Sequence, residues 1–417
     1  MSFGGVNRIM DYYSIVSNVL DENEIIEFLK SLINTRSDYP PGDTRKIAEL
    51  CANKLSDNDI SCSIRVPDSS VRNPKDNNPS FMYPSVIAEL GNGNGPTLLF
   101  NAHIDTVSSG DHSMWATDPF LAFQAYGNIY GRGAGDDKGS VCAQIMAAIL
   151  LRRAGVPING KLIINPVSDE EANSCRGAKW LIESNQLLPD MVIVGEQTNN
   201  RIAVAERAVV FVRITITGKA CHGAMPWVGS NATVHMSDFI QAIKKEVIPQ
   251  MESVKHPYLP LTTISPTHID GGIQVNIIPE KCALELDCRL TPGVSEVELL
   301  DSFDRILRRL SHNKEQYQYE IEVTNSEKGV VTDTKIDSEL VVSISEAYEK
   351  VMGKWPEYTG YMQASDGRVF ARRQIPIVIF GPGDPKLGHS PNEFVPVSQV
   401  IEATKILAFT AIKLLAK

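Results

Sequence analysis

Apolar residues recur at helical spacing between Asp21 and Ile33. Ile25, Ile26, Phe28, Leu29, Leu32 and Ile33 share a face and Asp21 with Glu24 forms a capping pair, so the pattern predicts a helix near the start of the chain. Two short apolar runs follow, Val86 to Leu90 and Thr97 to Ala102, joined by the turn residues Gly91 to Pro96. Between Arg65 and Pro84 the Pro, Asn, Asp and Ser content predicts a long surface loop. The pattern then alternates: a helix from about Ser140 to Arg153, a strand Lys161 to Asn165, a helix near Cys175 to Ser184 and a strand Met191 to Val194. Alternation of this kind predicts an α/β sheet with helices on its faces and functional residues at the carboxyl ends of its strands.

After Arg207 the pattern becomes strand-rich. Strands are expected at Val209 to Thr217, Thr262 to Ile269, Ala283 to Leu290 and Tyr317 to Val323, with helices near Ala232 to Glu246 and Ser295 to Leu310. From about Asp337 the helix, strand (Ile375 to Phe380) and helix (Val397 to Leu415) order returns. The expectation is a discontinuous α/β domain with a central mixed sheet over 1–206 and 326–417, interrupted by an α+β domain over 207–325.

Composition narrows the partners. The 417 residues carry 50 acidic against 40 basic side chains, a formal charge of −10, which argues against phosphate backbones or anionic lipid as the main partner. Seven cysteines without a C-x-x-C pair suggest neither a disulfide framework nor a thiolate metal site, and point to the cytoplasm. Asp11 and its polar neighbours interrupt any apolar leader, and nowhere do eighteen apolar residues run together, so no membrane span is expected.

Candidate chemistry gathers where apolar runs stop abruptly at polar groups: Asn101-Ala102-His103-Ile104-Asp105, Val167-Ser168-Asp169-Glu170-Glu171 and Val194-Gly195-Glu196. The glycine run Gly131 to Gly139 presents Asp136 and Asp137 at a helix entrance, without the spacing of a phosphate loop, and Gly388-His389-Ser390-Pro391-Asn392-Glu393 offers a second histidine on a turn. Alone, an H-x-D pair is usually a hydrogen-bonded structural pair and a Glu-Glu pair usually a solvated face. Their succession at strand ends in one α/β frame is what points to a metal.

The set His103-x-Asp105, Gly-Arg-Gly-x-x-Asp136-x-Lys138-Gly139, Asp169-Glu170-Glu171, Gly195-Glu196, Ala220-Cys221-His222-Gly223 and His389 before Pro391-Asn392-Glu393 resembles the acetylornithine deacetylase and succinyl-diaminopimelate desuccinylase family of dinuclear zinc hydrolases. The resemblance runs from about Asp21 to the C-terminus. It implies a zinc-peptidase-like catalytic domain with an inserted lid or dimerisation domain. His103 and Glu196 would hold one Zn2+, Glu171 and His389 a second, and Asp136 would bridge them, with Co2+ or Mn2+ as alternatives. Asp105 would orient His103, Glu170 would be the general base, and the Asp136-Asp137 peptide would be cis. His222 would reach across a homodimer to polarise the scissile carbonyl, while Asn276, Arg289 and Arg368 would contact substrate. Two dications against three ligand carboxylates and one hydroxide leave a neutral cluster, which suits a partly closed site.

The expected reaction is hydrolysis of an N-acyl amino acid, with a dipeptidase or carboxypeptidase using the same centre as the alternative. Met362-Gln363-Ala364 stands where the desuccinylases carry Gly-Gly-Thr, which argues against succinyl-diaminopimelate itself. A non-catalytic metal-holding binding protein would have lost its base, and Glu170 is present.

Overall fold

The computed structural model describes residues 3–73, 76–172, 174–313, 317–324 and 330–416. Contacts divide the chain into two compact units, one of Met1–Val204, Thr334–Tyr361 and Ser365–Lys417, the other of Ala205–Asp333 and Met362–Ala364.

The first unit opens with helices α1 (Phe3–Asn18), α2 (Glu22–Asn34) and α3 (Arg45–Ser56), then strands β1 (Ser61–Arg65), β2 (Ser85–Gly91) and β3 (Thr97–His103). Helix α4 (Lys138–Arg153), strand β4 (Lys161–Val167), helix α5 (Ala178–Glu183) and strands β5 (Met191–Val194) and β6 (Ile202–Glu206) follow. Strand β3 lies between β4 and β5 and is parallel to both, with His103 opposite Val167 and Asn101 opposite Val194. That register brings three strand ends, and the polar residues just beyond them, to one edge of the sheet. Outward from β4, β2 and then β1 are antiparallel, which makes the sheet mixed.

From Lys138 to Leu151 every residue of α4 is buried, so the helix is enclosed around its circumference rather than along one stripe. Each buried Ile, Leu or Met there contributes roughly 1.5–3 kcal/mol, so packing outweighs intrinsic propensity in holding it. Two buried asparagines bridge the sheet: Asn101 Nδ2 donates to Asn165 Oδ1 at 3.2 Å, and Asn165 Nδ2 donates to Val86 O at 2.7 Å.

The second unit is an antiparallel sheet with helices. Strands β7 (Ala208–Thr217), β8 (Thr263–Gly271), β9 (Lys281–Leu290) and β10 (Gln318–Val323) stand in the order β8-β9-β7-β10. Along β7 the side chains alternate, with Val210, Val212, Ile214 and Ile216 in a core shared with Met236, Phe239, Phe303 and Leu307 of helices α6 (Ala232–Ala242) and α7 (Glu296–Asn313).

Several sequence expectations change. The second unit runs past the expected 207–325 because Ala205 and Glu206 pair in antiparallel register with Asp333 and Thr332, which ties the entering and leaving strands together; the junction expected at 325/326 lies outside the described residues. The helix expected to Glu246 loosens into a wider turn over Ile243–Val247 just before Pro249, a residue with no N–H to give the α ladder. The segment between Arg65 and Pro84 is not surface throughout: Asn73, Ser80 and Tyr83 are buried, and the Tyr83 hydroxyl donates to Pro41 O. The first unit closes with helix α8 (Glu339–Met352), strand β11 (Ile377–Ile379), parallel to β5, and helix α9 (Val397–Leu415). Among the described residues no helix is long and apolar enough to cross a membrane.

Candidate metal centre

His103 ends β3, Glu171 lies four residues beyond β4, Glu196 two beyond β5, and Asp136 sits two before α4. The glycine run that carries Asp136 folds tightly: Gly133 has φ 84, and a Cβ there would meet Thr106 Cγ2 at 2.6 Å. The Asp136-Asp137 peptide is cis, as the resemblance implied. His389 stands on a turn with φ 61.

These residues converge. One potential ligand atom from each of His103, Asp136 and Glu196 lies within 4.8 Å of the others, and the same holds for Asp136, Glu171 and His389. Asp136 belongs to both groups: its Oδ1 is 3.0 Å from His103 Nε2 and its Oδ2 is 3.4 Å from His389 Nε2. Glu171 Oε1 lies 3.2 Å from His389 Nε2. Two nitrogens and three carboxylates, one of them facing both ways, make a donor set that zinc, cobalt or manganese accepts.

Neighbours hold these ligands in place. The carboxylate of Glu393, fully buried, accepts from the backbone N–H groups of Gly133, Gly135 and Asp136 at 3.1, 2.8 and 2.9 Å and from Arg132 Nη1 at 2.6 Å. The Tyr361 hydroxyl donates to Glu196 Oε2 at 2.7 Å. Asp105 reaches His103 through its main chain. Its backbone carbonyl, not its carboxylate, meets His103 Nδ1 at 2.9 Å, while the carboxylate, 3.9 Å from that nitrogen, accepts from the N–H groups of Glu170 and Glu171 at 3.3 and 3.1 Å. The sequence pattern assigns no role to Glu393 or Tyr361; an acidic residue four positions after His389 is the one signal within local reach.

So many acids in little water distort each other's titration. Burial pushes the carboxyls of Asp137 and Glu170 up to about 8 and that of Asp105 to about 7, and raises Glu196 well above the usual range. Burial also works to raise Asp136, but the hydrogen bond and charge of His103 override it and hold that carboxyl low. Burial opposes a charged His103, yet Asp136, Asp137 and Glu196 outweigh it and raise its pKa well above the ordinary value. The hydrogen bond to Glu171 lifts His389 to about 9. An excess of buried carboxylate that recruits protons and imidazolium is what a dication would neutralise, so the residues fit a metal.

Arg368 approaches this group, its Nη2 donating to Glu170 Oε1 at 3.3 Å. The other residues singled out in the sequence belong to the second unit. His222 and Asn276 are brought together there: Cys221–His222 pairs with Ile277–Ile278, and Gly223 N donates to Asn276 O at 2.8 Å. His222 Nδ1 accepts from Ala224 N at 3.1 Å, which leaves the proton on the exposed Nε2. Arg289 forks onto Asp287 at 2.7 and 3.1 Å, an ion pair within its own strand.

Residues 99–413 match the model of peptidase family M20/M25/M40. A probable succinyl-diaminopimelate desuccinylase of Staphylococcus epidermidis is 25% identical over 408 residues, spanning 90% of this chain and 94% of its own. Among solved structures, aminopeptidase PepT from Bacillus cereus superposes with a TM-score of 0.75 at 18% identity, covering 95% of this chain and 99% of that one. A Bacillus subtilis protein described as a dinuclear metal-binding peptidase of the M20 family gives 0.68 at 16% identity, covering 94% and 98%. A family match across most of the catalytic frame, together with ligand groups gathered at its strand ends, makes this chain a member of peptidase family M20/M25/M40 and a metal-dependent hydrolase.

Proposed function

We propose that the chain is a dinuclear zinc amidohydrolase that cleaves the amide bond of an N-acyl amino acid. The observation that carries this is the position of Asp136, whose two oxygens face separate imidazoles, so that one carboxylate serves two ligand groups. We assign His103 and Glu196 to one ion, Glu171 and His389 to the other, and Asp136 to both. Ions held by these residues would supply Lewis acidity toward a carbonyl and toward water near neutral pH. Glu170, beside a ligand and not one itself, takes the water proton on its carboxylate and delivers it to the departing nitrogen. Arg368, now paired with Glu170, exchanges that partner for a substrate carboxylate. In a homodimer, His222 of one copy contributes a donor to the oxyanion developing in the other copy, and Asn276 and Arg289 are assigned to substrate contact.

A dipeptidase or carboxypeptidase with the same centre is the second reading, favoured by Met362-Gln363-Ala364 in place of the desuccinylase Gly-Gly-Thr. We also assign the protein to the cytoplasm, on its seven free cysteines, and to a homodimer formed through the second unit. There the edge strand β8 is exposed from Ser265 to Gly271, and Ile269, Ile273 and Val275 are exposed nearby.

The test is metal-stripped protein. It should be inactive, take up two ions per chain, and regain activity with Zn2+ or Co2+; full activity without metal would overturn the assignment. A panel of N-acetyl and N-succinyl amino acids and dipeptides then separates deacylase from peptidase.

A further inference from the structure

The turn that delivers Glu170 and Glu171 is gripped from outside the ligand group. Asp169, its first residue, has φ 71, a left-handed conformation disfavoured for any residue with a side chain, and its carboxylate is completely buried. Arg176, equally buried, holds that carboxylate with Nε at 3.0 Å and Nη2 at 2.6 Å from Oδ1, and with its backbone N–H at 2.8 Å from Oδ2. The far edge of the same guanidinium meets Asp76 as a fork, Nη1 to Oδ1 and Nη2 to Oδ2 both at 2.9 Å, and its plane lies 3.5 Å over the Tyr83 ring. Asn73 Nδ2 completes the grip, donating to Ala172 O at 2.7 Å and to Asp169 Oδ1 at 3.3 Å.

Asp76, Asn73 and Tyr83 all come from the segment between Arg65 and Pro84, which lies outside the motifs of the family resemblance. The segment is therefore joined through one buried arginine to the residue that precedes the base and a ligand. His103 and Glu196 stand beyond other strands and receive nothing from this clamp. Asp105 secures the N–H groups of Glu170 and Glu171 from one side, and Arg176 fixes Asp169 from the other.

We propose that Asp76 and Arg176 are positioning residues through which this segment holds Glu170 and Glu171 in place and so tightens one half of the metal centre, the Glu171–His389 half. A planar fork between two carboxylates transmits orientation as well as charge, which a lysine at position 176 would not do. Loosening it frees the turn to relax from its left-handed start, withdrawing Glu171 from His389 while His103, Asp136 and Glu196 keep their places.

This inference rests on the metal assignment proposed for the site, and the experiment separates the two. Metal-stripped wild type, Asp76→Ala, Asp76→Asn and Arg176→Lys are titrated with Zn2+ against a chromophoric chelator, and the melting of the metal-free proteins is followed to register the fold. Wild type should bind two ions. The variants should keep one at wild-type affinity and hold the other about 10-fold or more weakly, the usual effect of removing a partner that orients a ligand. Their kcat should fall by about 10-fold with KM within about twofold, since base and ligand move while substrate contacts stay. Two ions bound by the variants with unchanged affinities would overturn the positioning role and leave the metal centre standing, as would an equal weakening of both ions. Wild type that binds no ion would overturn both.

Discussion

Glu170 reaches the candidate ligand group with its carboxylate turned to Arg368, whose Nη2 donates to it at 3.3 Å. Burial lifts its carboxyl to about 8, against the opposing pull of Arg368 and His103. A group whose proton affinity lies near neutrality can both accept and return a proton, as hydrolysis of an amide requires. Replacing it by glutamine keeps the volume and removes the basic oxygen. Glu170→Gln should therefore lower kcat by a factor on the order of 10² or more while bound metal, measured by elemental analysis, is unchanged; turnover near the wild-type rate would remove Glu170 from this role. At this scale the sequence was informative about groups that coordinate, because His103, Glu171 and Glu196 each interrupt an apolar run. It was silent about the groups that hold them. Glu393 acts on Gly133, Tyr361 on Glu196 and Arg176 on Asp76, pairings that span 260, 165 and 100 positions, and no local pattern encodes such a contact.

Elements are fastened by side chains as well as by apolar faces, and Glu24 on α2 is the clearest case. It accepts from Arg153 of α4 at 2.6 and 2.9 Å and from Lys54 of α3 at 2.6 Å, joining three helices. The hydrogen bonds from Arg153, reinforced by Lys54 against partial burial, hold its carboxyl down at about 2, below the 4.5 of the free group. A lowered folded-state pKa stabilises fully above the unfolded value, and that stabilisation fades as the pH falls toward the folded one. Glu24→Gln should thus cost about 1 kcal/mol at neutral pH, the upper range for a network this open to solvent. The gap in melting temperature from wild type should narrow below about pH 4.5 and close near pH 2; a gap independent of pH would show that packing, not charge, accounts for Glu24. The sequence pattern was clear for α2 and α9 and for the central strands, whose apolar periodicity is long or uninterrupted. It missed α1, where Tyr13 and Val16 are buried, Tyr13 against Phe409 at 4.3 Å, and where a mixed sequence hides a helix held by tertiary contact. The short strand β6 was missed for a related reason: its five buried residues carry no alternation to mark it.

Across the whole molecule the candidate residues fall on two separately cored units. The candidate ligand groups and Glu170 belong to the first unit, whereas His222, Asn276 and Arg289 belong to the second. The inserted arrangement was legible because helical and strand periods change sharply near Arg207. Its boundaries were not, since the pairing of Ala205 with Asp333 depends on residues 128 positions apart. If the homodimer proposed here is correct and His222 serves the centre of the other copy, two inactive proteins should rescue each other. Glu170→Gln lacks the base but keeps His222; His222→Ala lacks the oxyanion donor but keeps Glu170. Dissociated, mixed in equal amounts and reassembled, half of the dimers should contain one of each chain. In those, a single centre would hold both an intact Glu170 and an intact His222, so about a quarter of wild-type activity should return. Light scattering would establish that the mixture is dimeric. A dimeric mixture no more active than its two components would place His222 outside the neighbouring centre.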